Sequence, residues 1–176
     1  DTPGGVDTEA KRYVWNYYNR IRRNFYVYPS ATSWTYNTTT WRSSNNSDTL
    51  RCSFVCGVQE DSIDSIFSQT VQLESTGAGN WRQAYISIGL DSTSTPGPSG
   101  SAKHYFSGSG NTQKDSTITV HRIFSCVGYH YVQAMEKYDG SATYSSTFFG
   151  GELFSLTGTI LSWDSEMAIN DPLICT

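Results

Sequence analysis

Strict alternation of apolar and polar residues constrains this chain more than any other feature. Leu50, Cys52, Phe54, Cys56 and Val58 occupy every second position, as do Ala84, Ile86, Ile88 and Leu90, and Val71 and Leu73 mark a further run over 63–74. A period of two turns one side of an extended chain toward a core and the other toward water, so these runs predict half-buried β-strands. Further strands are predicted at 25–28, ended by Pro29, and at 34–41, 117–123, 129–137, 142–148 and 152–161, with Asp139-Gly140 as a hairpin signal. Eight or nine short strands around one core give an all-β fold, most simply a jelly-roll β-sandwich. The 14% aromatic content suits pleated surfaces, and a charged fraction of 16% argues against coiled coils, helical arrays and disordered tails.

The first 23 residues follow another rule. Val6, Ala10, Tyr13, Val14, Tyr17, Tyr18 and Ile21 recur at helical spacing behind Asp7 or Thr8 as N-cap, which predicts a short N-terminal helical arm. Bulky aromatics are weak helix formers, so an extended arm is the other reading of Tyr13–Tyr18. Five basic residues against three acidic ones give 1–23 a net +2, whereas the remainder, with seven against thirteen, carries −6. One reading is a solvated helix face. The other is a docking arm in which Arg12, Tyr13, Trp15, Tyr17, Arg20, Arg22 and Arg23 grip an acidic neighbour, since Tyr, Trp and Arg dominate interface hot spots. Residues 24–163 form the expected jelly-roll domain, interrupted by a flexible Ser/Gly/Thr/Pro-rich loop at 92–116, and 164–176 are an expected tail. The start at Asp1-Thr2-Pro3-Gly4-Gly5 lacks Met, so a segment preceding Asp1 is expected.

Several function classes find little support. A net charge of −4 disfavours a duplex nucleic-acid partner. No run approaches the ~18 apolar residues of a membrane-spanning helix, so no membrane partner is expected. Cys52 and Cys56 stand about 13 Å apart on one strand face, beyond disulfide reach of each other, and with Cys126 and Cys175 they read as small buried hydrophobes. His104, His121 and His130 are scattered; His121 and His130 could meet across a sheet with a carboxylate, but no metal or other cofactor is expected. Gly108-Ser109-Gly110 is low complexity rather than a nucleophile elbow, and no Gly cluster leads into the Lys-Ser or Lys-Thr of a phosphate loop. A glycoside hydrolase would need two facing carboxylates; Glu60, Asp61, Asp64, Glu136 and Glu152 are the candidates, and nothing in their spacing makes any two face each other. No catalytic residue is assigned and no enzyme is expected. Trp34, Tyr36, Trp41 and Trp81 are candidates for an aromatic platform that stacks on sugar rings, as in lectin-like sandwiches.

The run Gly128-Tyr129-His130-Tyr131-Val132-Gln133-Ala134-Met135-Glu136, the Asp139-Gly140 turn, Ala142-Thr143-Tyr144 and the final Glu152-Leu153-Phe154-Ser155-Leu156 resemble the closing strands of a tumour-necrosis-factor-like jelly roll. Together with Trp34-Thr35-Tyr36, Trp41-Arg42 and Ile86-Ser87-Ile88-Gly89-Leu90-Asp91, they also resemble structural proteins of tailed bacteriophages over most of 15–160. The resemblance implies a non-enzymatic virion protein, commonly a homotrimer, that decorates or cements a capsid or forms a fibre or tail head. Its partners would be other copies of itself, major capsid or tail proteins, and in the lectin-like alternative a surface glycan. The basic N-terminal segment and the long Ser/Gly loop depart from that family.

Overall fold

Residues 20–56, 62–74, 81–97, 100–107, 112–124, 127–139 and 146–163 are described by a computed structural model. The strands, in chain order, are β1 (Arg20–Val27), β2 (Ser33–Tyr36), β3 (Arg42–Ser43), β4 (Arg51–Cys56), β5 (Ser62–Leu73), β6 (Trp81–Leu90), β7 (Ser101–Ser107), β8 (Gln113–Phe124), β9 (Gly128–Asp139), β10 (Ser146–Phe149) and β11 (Phe154–Trp163). Three of these continue the line of another. β1 and β2 pair with β11 and β10 in turn, β3 and β4 share one edge of β9, and β10 and β11 share one edge of β5. Joined in this way, the first sheet runs β1/β2, β10/β11, β5, β8, and the second runs β3/β4, β9, β6, β7, all antiparallel. This is the two-sheet order of a jelly roll.

Alternation explains the packing. Phe54, Ile63, Phe67, Val71, Leu73, Ile86, Ile88, Val132, Phe148, Phe154 and Leu156 are all within 1% of full burial and fill the space between the sheets. The rings of Phe67 and Phe154 lie 4.9 Å apart. Cys52 and Cys56 point into the same core from β4. Gly158 admits the ring of Phe25, since a Cβ there would stand 2.7 Å from two of its ring carbons.

Two expectations need correction. Residues 20–23 belong to β1, where Arg20–Arg23 pair with Trp163–Ile160, so the jelly roll begins at Arg20 and helical spacing does not hold there. Residues 1–19 and 164–176 lie outside the described residues. The expected loop 92–116 contains all of β7 and the start of β8; backbone pairing of Ser101–Ser107 to Ser87–Trp81 outweighs a turn-rich composition. The strand expected at 117–123 is present within β8, and it carries its apolar residues outward: Ile118 and Val120 are exposed while Thr117, Thr119 and His121 are buried.

Phe67→Ala should destabilise the fold by about 3–5 kcal/mol, the usual cost of emptying a packed aromatic site. Ile66→Ala, which removes an outward neighbour of similar hydrophobicity, should cost under ~1 kcal/mol in the isolated chain. Urea denaturation of both variants checks the difference.

Candidate functional site

Glu136 sits in the inward-facing series Val132, Ala134, Glu136, Tyr138 of β9 and is wholly buried. An isolated carboxylate there would be prohibitively costly, so it must be met by donors. Its Oε1 accepts from Arg42 Nε at 2.8 Å, from Arg42 Nη2 at 2.7 Å and from the Asn45 backbone N–H at 3.2 Å. Its Oε2 accepts from the indole N–H of Trp34 at 2.6 Å. Trp34 lies on β2 of the first sheet and Arg42 on β3 of the second, so one carboxylate clasps the chain on both sides of its crossing between sheets. The Arg42 guanidinium is stacked 3.7 Å from the centre of the Tyr36 ring, whose hydroxyl donates to Thr40 O at 2.7 Å. Burial pushes the Glu136 carboxyl up to about 7 against the pull of Trp34, Arg42 and Asn45. With no exposed surface and four donors directed at it, this carboxylate is a structural clasp with no access for a substrate.

Beside the clasp, a polar pocket of about 120 Å³ is lined by Tyr28, Pro29, Ser30, Asn45, Ser47, Thr49 and Leu50. A second polar cluster forms where β6 ends. Asp91, at φ 51°, accepts the Tyr131 N–H at 2.9 Å through Oδ1, and its Oδ2 lies 2.7 Å from His130 Nδ1. The His130 ring packs 5.8 Å from Phe54. This pair pins the 91–97 segment to β9.

The histidines occupy three separate places. His130 belongs to β9 in the second sheet and His121 to β8 in the first, so they do not meet across one sheet. His104 lies on β7 with Asp115 3.9 Å away. Burial lowers the pKa of both His104 and His121. Among the described residues, no three His, Cys, Asp or Glu side chains gather as metal ligands.

The other candidate carboxylates are dispersed. Asp64 is held by Arg122 through bonds of 2.5 and 3.0 Å, which keeps its carboxyl below the ordinary range. Glu152 lies exposed in the turn between β10 and β11. Glu60 and Asp61 are outside the described residues. Of the proposed arm, Arg12, Tyr13, Trp15 and Tyr17 are also outside them; Arg20 and Arg23 are placed by backbone alone, and Arg22 is exposed on β1.

The aromatic candidates Trp34, Tyr36, Trp41 and Trp81 do not form one platform. Trp34 packs 6.3 Å from Phe154 and serves the clasp, and Tyr36 covers Arg42. Trp41 turns instead to the outer face of the second sheet, against Tyr85 at 6.2 Å. The side chain of Trp81 is outside the description. Sequence reasoning missed the clasp and the Trp41–Tyr85 contact. A charged residue inside the inward series of β9 was the available signal for the first.

No family model matches the chain, and no curated protein matches it. Among solved structures, it is similar to dimeric latent PorU from Porphyromonas gingivalis at TM-score 0.45 and 12% identity, over 92% of this chain. The chain spans only 14% of the length of that protein.

The clasp makes a signed pH prediction. Glu136 has a folded-state value of about 7 against an ordinary 4.5, so the folded form holds the proton more tightly. Its contribution is therefore full below about 4.5 and is lost as pH rises through about 7. The depressed His104 and His121 act oppositely, costing stability as pH falls below 6.5. Subtracting the unfolding free energies of Glu136→Gln from those of the native chain cancels the histidines. The difference should shift against the native chain between pH 4.5 and 7 and level off above.

Proposed function

We propose that this chain is a non-enzymatic structural component of a virion of tailed-phage type, a jelly roll that assembles with copies of itself, most simply as a trimer. The observation that carries this reading is the outer face of the first sheet. Tyr26, Thr157, Ile66 and Val120 stand side by side across β1, β11, β5 and β8. Ile66, Val120 and Ile118 are 44%, 61% and 60% exposed, where a solvated sheet face would carry polar groups. β8 thus presents its aliphatic residues outward and its threonines inward, the reverse of a strand adapted to water. Three adjoining exposed aliphatic side chains, Ile66, Ile118 and Val120, suit a contact surface, and closed symmetric association is the usual way to cover one. The Asp64–Arg122 pair lies in the next row, beside Thr159 and Asn24, and supplies a polar rim. Such a rim around an apolar centre is the anatomy of a specific interface. The resemblance to tailed-phage structural proteins supports the placement in a virion, with capsid or tail proteins as further partners.

Light scattering coupled to size exclusion should give the full chain a mass near three copies. Val120→Asp combined with Ile118→Asp should reduce it to one copy while the far-ultraviolet β signature persists. A monomeric native chain, or a doubly substituted chain that stays oligomeric, contradicts the assembly reading. Mass spectrometry of purified particles should find the chain in them; its absence contradicts the virion reading.

A further inference from the structure

The opposite face of the sandwich carries a different surface. Much of the outer side of the second sheet is covered: Gln133 is buried beneath the segment after β3, donating to Ser47 O and Leu50 O at 3.2 and 2.9 Å. Gly89 fits closely under the 91–97 segment, where a Cβ would stand 3.3 Å from Thr95 O and 2.6 Å from Met135 Sδ. The cover ends beyond Met135. There Lys103, Tyr85 and Lys137 stand side by side across β7, β6 and β9, and Trp41, preceding β3, closes the row. In the adjacent row, Tyr105, Gln83 and Asp139 stand side by side across the same three strands.

We infer that this surface is a binding platform for a carboxylate-bearing saccharide. The proposal is independent of the assembly reading, since it uses the other sheet.

Three features carry it. First, the aromatic groups are accessible: Tyr105 is 47% exposed, and Trp41 and Tyr85 are half-buried on an outward face that the core does not need. Trp41 and Tyr85 meet edge to face at 69°, which fixes both rings before any ligand arrives. A pyranose offers a face of C–H groups that suits the negative face of such a ring, and a rim of hydroxyls that needs donors and acceptors. In the next row the Gln83 amide N–H groups and the Asp139 carboxylate stand to meet that rim, the Gln83 oxygen already accepting from the Tyr85 hydroxyl.

Second, the cation is already positioned. Lys137 Nζ lies 4.9 Å from the Tyr85 ring centre and 5.9 Å from that of Trp41. Cation–π attraction thus holds an ammonium against one side of these rings, placed for a carboxylate, while the 47% exposed Tyr105 in the adjacent row offers a further ring to the sugar. Lys103 flanks Tyr85 from the far side, so an anionic group meets positive charge on either side of the ring.

Third, the local charge departs from the whole. Lys103 and Lys137 against Asp139 leave the platform net positive on a chain of net charge −4. At physiological ionic strength, charges beyond ~8 Å are largely screened, so the local lysines decide which ligand is favoured.

Isothermal titration of the full chain with tetragalacturonate and with neutral cellotetraose tests the assignment. Tetragalacturonate should bind at least tenfold more tightly than cellotetraose, with an advantage that shrinks as salt rises. Trp41→Ala should weaken tetragalacturonate binding at least tenfold. Lys137→Ala, which leaves both rings in place, should erase the preference for the acidic ligand. Absence of heat with either saccharide, equal affinity for the two, or tetragalacturonate binding unchanged in both variants overturns the proposal.

Discussion

The whole architecture depends on neutralising one carboxylate that water cannot reach. Glu136 has no exposed surface, so its four hydrogen bonds must all come from the protein. They come from the strand that leaves the first sheet, from the strand that enters the second, and from the turn that follows. Removing the Arg42 or Trp34 donor takes away one of the contacts that favour the ionised form, so the buried carboxyl holds its proton still more tightly and the crossing loses a tie. The clasp therefore acts less as a source of net stability than as a constraint on where the crossing between sheets can run. Tyr36, laid over the guanidinium, extends the same constraint to the connecting segment.

With that corner fixed, alternation along each strand divides the molecule into three environments. Between the sheets lie Phe54, Phe67, Phe148 and Phe154, packed to near-complete burial. Outside the first sheet lies the aliphatic stripe of Ile66, Ile118 and Val120. Outside the second, the segments after β3 and β6 cover one half and leave the Trp41, Tyr85 and Lys137 row open. The Asp91–His130 pair holds the second of those covers in place. One sandwich thus offers two chemically distinct faces, aliphatic on one side and aromatic-cationic on the other. The proposed assembly uses the first face and the proposed saccharide platform the second.

Much of this was legible in the sequence, because local alternation is sufficient evidence for a strand. The runs around Leu50–Cys56 and Ala84–Leu90 mark β4 and β6 to within a few residues. β7 escaped notice because Ala102, His104 and Phe106 alternate weakly within a Ser- and Gly-rich stretch, and only pairing with β6 makes it a strand. The direction of β8 was illegible for another reason: alternation gives the period, not which side faces the core. Glu136 and Arg42 are 94 residues apart, and nothing local to either announces the other. The platform likewise joins residues from four segments whose register only the folded sheet establishes.

The most direct measurement of the clasp is hydrogen exchange at the indole N–H of Trp34, followed by NMR. A donor bonded to a fully buried carboxylate exchanges only when that bond opens. The Trp34 indole proton should therefore persist as long as the backbone amides of Val132 and Ala134 in the centre of β9. Exchange of that proton on the timescale of exposed indoles, with those amides still protected, would contradict the account.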